Sequence, residues 1–596
     1  MFSMTSFGSD IDETVNDGRG PYVFKISGQV SHWIGSLCPP SNEKPRFFQL
    51  YIYDTENEVS NRLRFFGDST QCSLSADIVR TLDDVLTTHN KYVRVFKNAK
   101  EVADPTENYY SVRLYNNVPD KKRCPPSPGT LGGIVCGDDA NSSGYDIIVH
   151  SKDGIPQRVS KLHPCYMPLQ YPLMFPYGEE GWSPRLHLHQ VHSTKEKRLT
   201  FNMYYSYEAG VYFLLLHGDR LFQQYLVDAY TCIEQNKLTY YSTHQDQLRS
   251  EYIAGVYDAF SRGDTKSREI GKRIFLPASF IGGPRYMHRH YQDALAICRV
   301  HANPQYFITF TCNVKWAEIT RYMDNIGSNN SQHRPDIIAR VFKLKVEDLI
   351  KFMKADKTFG DVAAYLYTVE FQKRGLPHCH TLLWVIEAYK IHDASAIDNY
   401  ITAEFPDPQS EVSLYQKITE CMLHVPCGLL NPAAPCMREG KCSKNFPKSF
   451  QPTATFDKYG YVHYKRNAGI HHVLRSGICV DNGYVVPYNK RLCSRFNAHI
   501  NVEYCGWNML IKYLFKYISK GVDRIRFVLQ KSKDDAASTS VESTPIINEI
   551  HNFVDGCLIC PHEASWRILN FPIHERDPAV QILAVHLENM QNVTFK

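Results

Sequence analysis

Val369-Glu370-Phe371-Gln372-Lys373-Arg374-Gly375-Leu376-Pro377-His378-Cys379-His380-Thr381-Leu382-Leu383-Trp384-Val385 is two apolar runs joined by a turn containing Gly and Pro, the pattern of a β-hairpin. Successive side chains on a strand point to opposite faces, so His378 and His380 share one face while Cys379 and Thr381 look the other way. With a loop over residues 373–377, antiparallel pairing puts Gln372 opposite His378 and Glu370 opposite His380. Directly paired side chains have Cβ atoms roughly 5 Å apart. Glu370 can therefore add a carboxylate oxygen to a divalent metal held by both rings, with Gln372 as the alternative ligand. Such a set leaves coordination positions open, which a catalytic rather than a structural metal needs. The competing reading is an ordinary half-buried histidine pair.

Further along, residues 509–520 place Ile511, Leu514, Phe515 and Ile518 at the i, i+3, i+4, i+7 spacing of an amphipathic helix, and Gly521 supplies a stop. At about 100° per residue those four form one stripe. Tyr513 and Tyr517 then fall on the opposite side, beside Lys512, Lys516 and Lys520. Each tyrosine has a lysine three residues on, close enough to meet the same phosphate. Tyr513 and Tyr517 are candidate nucleophiles, with Lys516 and Lys520 as groups that stabilise developing charge. A solvated basic face is the plain alternative. From Cys505 to Lys533 there are seven Lys or Arg and one Asp, a net of +6. Lys512, Lys516, Lys520, Arg524 and Arg526 are thus candidate contacts for a nucleic-acid backbone.

Between the histidines and the tyrosines, His424, Cys427, Cys436 and Cys442 make a four-ligand set with turn-forming Pro and Gly among them, suited to tetrahedral Zn2+. Cys421 competes as a ligand, and the alternative is a loop with unrelated reduced cysteines. Cys557-Leu558-Ile559-Cys560 reads better as two buried cysteines than as a metal motif.

Of 596 residues, 43% are hydrophobic and 13% aromatic, ample for several packed domains. The formal charge of +5 is too small to imply nucleic-acid binding by itself, which leaves the local excess around the tyrosines to carry that reading. Eighteen scattered cysteines point to reduced thiols rather than a disulfide framework. No apolar run approaches the roughly 20 residues that span a bilayer, and the N-terminus lacks a signal pattern, so the expectation is a soluble, intracellular chain with no membrane partner.

Short alternating runs such as Phe47-Phe48-Gln49-Leu50-Tyr51-Ile52-Tyr53 and Tyr92-Val93-Arg94-Val95-Phe96 predict a mainly β module over residues 1–160. Helical periodicity marks residues 161–300. Residues 531–546 are polar, a linker pattern, within the wider run 530–544 rich in Ser, Asp and Lys.

Several stretches together resemble the nuclease-bearing part of Helitron transposases, or Helitron helicase-like proteins, which belong to the HUH endonucleases. They are Leu162-His163-Pro164, Pro172-Leu173-Met174-Phe175-Pro176-Tyr177-Gly178, residues 218–225, Gly282-Gly283-Pro284-Arg285-Tyr286-Met287, Phe307-Ile308-Thr309-Phe310-Thr311-Cys312-Asn313, Ala564-Ser565-Trp566-Arg567-Ile568 and Phe571-Pro572-Ile573-His574-Glu575-Arg576, besides the two motifs above.

The resemblance implies an α+β chain with an antiparallel-sheet nuclease core over residues 301–390 and 490–530. It carries a Cys/His insertion over 391–489 and a C-terminal segment over 547–596 that would lead toward a helicase. It further implies Mg2+ or Mn2+ on His378 and His380, tyrosine attack on single-stranded DNA at transposon ends, a 5′-phosphotyrosine link and rolling-circle-like transposition. A nuclear location follows from the substrate alone, since Lys121-Lys122-Arg123 is too short for an import signal. No Gly-x-x-x-x-Gly-Lys-Ser/Thr loop occurs, so ATP-driven unwinding would need a separate helicase. Two other readings stand beside it: a decayed or co-opted DNA-binding module that no longer cuts, and a zinc hydrolase unrelated to DNA.

Overall fold

The computed structural model describes residues 1–16, 22–102, 110–114, 132–136, 147–150, 156–245, 274–505 and 548–583, apart from interruptions of one to eight residues. The chain divides into two units, Met1–Asp12 with Ile26–Asn236, and Glu13–Lys25 with Lys237–Lys596.

In the first unit, strands Ser6–Ile11 and Ile26–Ile34 pair antiparallel, and Tyr110–Leu114 pairs with Gly132–Cys136 and Ile147–His150. Between these lie helices Gln49–Ile52, Glu58–Leu63, Ala76–His89 and Lys91–Val102. Both runs read from sequence as strands are thus helical, which corrects the mainly β expectation. Tyr92, Val93 and Phe96 are buried and Arg94 is exposed, an i, i+1, i+4 stripe that a five-residue alternation mimics. Buried Arg62 ties the bundle by pairing with Glu58 and Asp83. Downstream, Phe201–Val211, whose Thr200 cap accepts from the Met203 N–H at 3.2 Å, and Asp219–Thr243 are helices.

In the second unit, α1 (Pro284–His301), β1 (Tyr306–Thr311), α2 (Ala317–Asn325), α3 (Pro335–Ala355), β2 (Val362–Phe371), β3 (Pro377–Val385), α4 (Val412–Cys421), α5 (Lys490–Phe496), β4 (Ile500–Tyr504), α6 (Pro561–Ile568) and β5 (His574–Asp577) follow in chain order. The five strands form one antiparallel sheet in the order β4-β1-β3-β2-β5. The predicted hairpin is β2–β3, and β3 is the central strand, buried along its whole length. Helices and an antiparallel sheet in one chain agree with the α+β expectation.

Alternation sorts the sheet into two faces. Ile338, Phe342, Val346, Leu349 and Met353 form the buried stripe of α3 and share a core with Phe310, Val369, Cys379 and Leu383. On the opposite face Ala294 and Ile297 of α1 pack with Phe307, Leu366, Leu382 and Trp384. Trp384 is fully buried and donates its indole N–H to the Ala302 carbonyl at 2.9 Å, so Trp384→Ala would cost about 3–5 kcal/mol.

The hairpin register differs from the one read off the sequence. Phe371 pairs with Pro377, Glu370 with His378 and Thr368 with His380. Leu376 and Pro377 belong to the strand side of the turn, because the Gly375 N–H closes it on the Gln372 carbonyl at 2.7 Å and the Gln372 N–H bonds Leu376 at 3.1 Å. Gly375 makes this shorter loop possible at φ +84°. Proline is tolerated as the first residue of β3, where no ladder N–H is needed.

Among the described residues, the insertion between β3 and α5 holds α4 and three two-stranded hairpins. Buried Arg466 donates to the carbonyls of Ala403, Asn482 and Val485, which satisfies irregular backbone there. Among the described residues no helix is long and apolar enough to cross a membrane.

Candidate functional site

The sheet face that carries the histidines changes character along its strands. Its lower part is the apolar layer under α1; its upper part is polar. Two cross-strand rows build that upper part. Thr311 of β1, His378 of β3 and Glu370 of β2 stand in one, with His499 beside Thr311 just before β4. Asn501, Thr309, His380, Thr368 and His574 stand in the other, one from each strand.

Both imidazoles are held the same way. Nδ1 of His378 is 3.0 Å from Oγ1 of Thr311, and Nδ1 of His380 is 3.1 Å from Oγ1 of Thr309. At His378 a threonine hydroxyl accepting from Nδ1–H leaves the lone pair on Nε2, the nitrogen turned away from β1; at His380 the same tautomer requires a cation between Nε2 and the Glu370 carboxylate, and without one Nε2–H donates to Glu370. Nε2 of His380 lies 3.2 Å from Oε2 of Glu370, a diagonal contact that the two-residue change of register preserves. Nε2 of His378 is buried with no hydrogen-bond partner among the described residues. Burial first, then the neighbouring His380 and His499 rings, push the His378 imidazole down to about 3, so it is neutral and able to ligate. Burial likewise lowers His499.

These donors fit a divalent cation. An orphaned imidazole nitrogen in the interior costs on the order of 1–3 kcal/mol unless something fills it, and two Nε2 atoms with a carboxylate are a chemically apt set. They are more loosely gathered than the cysteine set, with the two rings 6.3 Å apart between centroids. Gln372, the alternative ligand, is exposed at the turn and faces neither histidine across the ladder.

His424, Cys427, Cys436 and Cys442 are brought together as their spacing predicts. Their ligand atoms all lie within 4.8 Å of one another, the one group so tightly gathered among the described residues. Nε2 of His424 is 3.5 Å from Cys442 Sγ, which also accepts the Lys444 N–H at 3.4 Å. Burial opposes ionisation of Cys442, but N–H groups of Phe446 and Lys444 outweigh it and bring the thiol below its ordinary value. Phe446 stacks on His424 at 4.2 Å, and the local core is small: Cys427, Ala434 and Cys442, with Cys436, Met437 and Phe446 packed against them. Cys421, the competing ligand, ends α4 outside the group. Cys557 and Cys560 are buried, in keeping with a packing role.

Tyr513, Tyr517, Lys512, Lys516, Lys520, Arg524 and Arg526 lie outside the described residues, as does the linker 531–546. Sequence reasoning missed Thr309, Thr311, His499 and His574. The alternating threonines of Phe307-Ile308-Thr309-Phe310-Thr311 were the available signal, a polar stripe on an otherwise apolar strand.

Residues 201–383 match the family described as the Helitron helicase-like domain at the N-terminus. The match ends three residues past His380 and takes in Glu370, Thr309 and Thr311. No curated protein matches the chain.

Proposed function

From the premise that this chain contains a Helitron helicase-like N-terminal region, with a Helitron-related role in DNA processing, we propose that it is a metal-dependent single-stranded DNA endonuclease and strand transferase of the HUH type. The observation that carries this reading is the pair of threonine-held imidazoles, His378 and His380, facing Glu370 from the central strand of an antiparallel sheet. Mg2+ or Mn2+ bound by His378, His380 and Glu370 would polarise an oxygen of the scissile phosphate. Thr309 and Thr311 keep the two rings in one tautomer and one orientation.

Tyr513 or Tyr517 supplies the phenolate that attacks phosphorus. The new P–O bond to tyrosine forms as the bond to the 3′-oxygen breaks; the phenol loses its proton and the departing 3′-oxygen gains one. The link conserves the phosphodiester's energy, so the same site can rejoin strands. Lys516 and Lys520 offset charge on the phosphate, and Lys512, Arg524 and Arg526 track the backbone. Transposon ends are the expected substrate, the nucleus the expected location, and a separate helicase the expected partner for duplex opening.

The second metal centre, His424, Cys427, Cys436 and Cys442, is assigned structural Zn2+, because thiolates favour it and no coordination position is left open.

End-labelled single-stranded oligonucleotides with Mn2+ test the activity. A protein–DNA adduct that survives denaturing electrophoresis and disappears with chelator or His378→Ala is expected. Binding with no adduct would favour the co-opted DNA-binding module.

A further inference from the structure

The insertion between β3 and α5 presents an exposed hairpin that neither metal group uses. Thr455–Phe456 and Val462–His463 pair antiparallel, and residues 457–461 turn between them. The Asp457 carboxylate caps this turn by accepting the N–H groups of Tyr459 and Tyr461, both at 2.8 Å, and the Gly460 N–H reaches the Asp457 carbonyl at 2.9 Å. Gly460 stands at φ +75°, a conformation that a side chain would disfavour. The tip is thus preformed, and what it presents is aromatic and basic. Tyr459 is 62% exposed, Phe456 41% and Tyr461 40%, and the Lys458 ammonium lies 4.9 Å from the centre of the Tyr459 ring. Rings this exposed add little to the core, yet the turn holds them in place.

The surroundings are positive. From Arg438 to Lys465 there are six Lys or Arg and two acidic residues, a net of +4, nearly the +5 of the whole chain. One of the two acids, Asp457, is engaged by the turn. The hairpin is also fastened to β4, the edge strand of the five-stranded sheet. The Tyr504 N–H donates to the Tyr464 hydroxyl at 2.9 Å, and the Phe456 and Tyr504 rings lie 5.9 Å apart between centroids. Asn501, three residues earlier on β4, stands in the cross-strand row of His380. At a rise of about 3.3 Å per residue, the hairpin is attached roughly 10 Å along the edge from that row. The family match ends at residue 383, before this insertion.

Fixed rings among cations match a strand whose bases are free to stack and whose phosphates carry charge; a duplex offers the phosphates but keeps its bases paired. We propose that the 455–463 hairpin is a stacking platform for single-stranded DNA, holding the strand without regard to sequence as it passes the β4 edge of the histidine face. The inference rests on the single-strand DNA reading and adds to it a contact outside the metal face: Tyr459 and Tyr461 stack on bases, and Lys458 meets a phosphate.

The test is fluorescence anisotropy of the full chain with a labelled oligonucleotide of about 30 nucleotides, long enough to cover both surfaces, with no Mg2+ or Mn2+ added so that cleavage does not intervene. Tyr459→Leu combined with Tyr461→Leu should weaken single-strand binding about tenfold or more and leave binding to a duplex of the same sequence unchanged. Lys458→Gln should weaken both and lower the salt slope by about one. Tyr459 is exposed at the tip, so Tyr459→Leu alone keeps the test informative if the double variant misfolds. Single-strand affinity unchanged in the tyrosine variants, or an equal loss with duplex, would overturn this inference alone. Wild-type chain that binds the strand through these tyrosines but forms no adduct with Mn2+ would overturn the nuclease reading and leave the platform standing; wild-type chain that binds no single strand would overturn both.

Discussion

Oγ1 of Thr311 stands 3.0 Å from Nδ1 of His378, and Thr309 repeats the contact at 3.1 Å with His380 one row along the sheet. If these hydroxyls hold the rings with Nε2 free for a cation, Thr311→Val should lower Mn2+ affinity by about 10- to 100-fold. Thr311→Ser should retain it. Titration of free Mn2+ by electron paramagnetic resonance reads this without any need for cleavage. Equal affinity in all three chains would mean that the tautomer is set by something other than β1.

Gly375 is the hinge of the hairpin. Its φ of +84° disfavours any side chain, and an added Cβ would lie 2.5 Å from Nδ1 of buried His562. Gly375→Ala should therefore destabilise the chain by roughly 1 kcal/mol or more, seen as a lower melting temperature. An unchanged melting temperature would show that the turn has another conformation open to it.

The His424, Cys427, Cys436 and Cys442 group is connected to the five-stranded sheet. The His424 N–H bonds the Tyr484 carbonyl and the Val486 N–H bonds Met422, both at 2.8 Å; the Val502 N–H of β4 bonds Pro487 at 3.0 Å, and the Ile500 N–H approaches Met422 Sδ at 3.2 Å. Purified protein should contain about one zinc per chain, lost in Cys442→Ser. With the loss, amides of Ile500 and Val502 should exchange faster while those of β3 do not. Full zinc content in Cys442→Ser would remove that residue from the ligand set.

Buried His562 has its imidazole pushed down by burial to about 3, against 6.5 when exposed. The unfolded chain then binds a proton that the folded chain refuses, so stability falls as pH drops below 6.5 and this contribution is exhausted near pH 3. The slope has an upper limit of about 1.4 kcal/mol per pH unit. Denaturant unfolding between pH 7 and 5 should show a shallower loss in His562→Leu than in wild type; parallel curves would mean that the ring is solvated or paired.

The hairpin, the shared face of His378 and His380 and the nearness of Glu370 were legible because all three follow from local alternation. The register was not, since a Gly-Leu-Pro run allows either a long loop or a short turn with a proline starting the strand, and only the positive φ of Gly375 decides. Thr309, Thr311, His499 and His574 come from strands distant in sequence, and their meeting depends on sheet order. The gathering of His424, Cys427, Cys436 and Cys442 was readable as residue types at workable spacing. The helices at 49–52 and 91–102 were misread because four or five residues cannot distinguish a two-fold from a 3.6-fold repeat.

The central claim is tyrosine attack on DNA at the metal-binding histidine face. It is tested most directly by digesting the Mn2+-dependent protein–DNA adduct and locating the modified residue by mass spectrometry. The account predicts a 5′-phosphonucleotide on Tyr513 or Tyr517, absent when both are phenylalanine. An adduct on any other residue, or one that forms undiminished in the double Tyr→Phe chain, would contradict it.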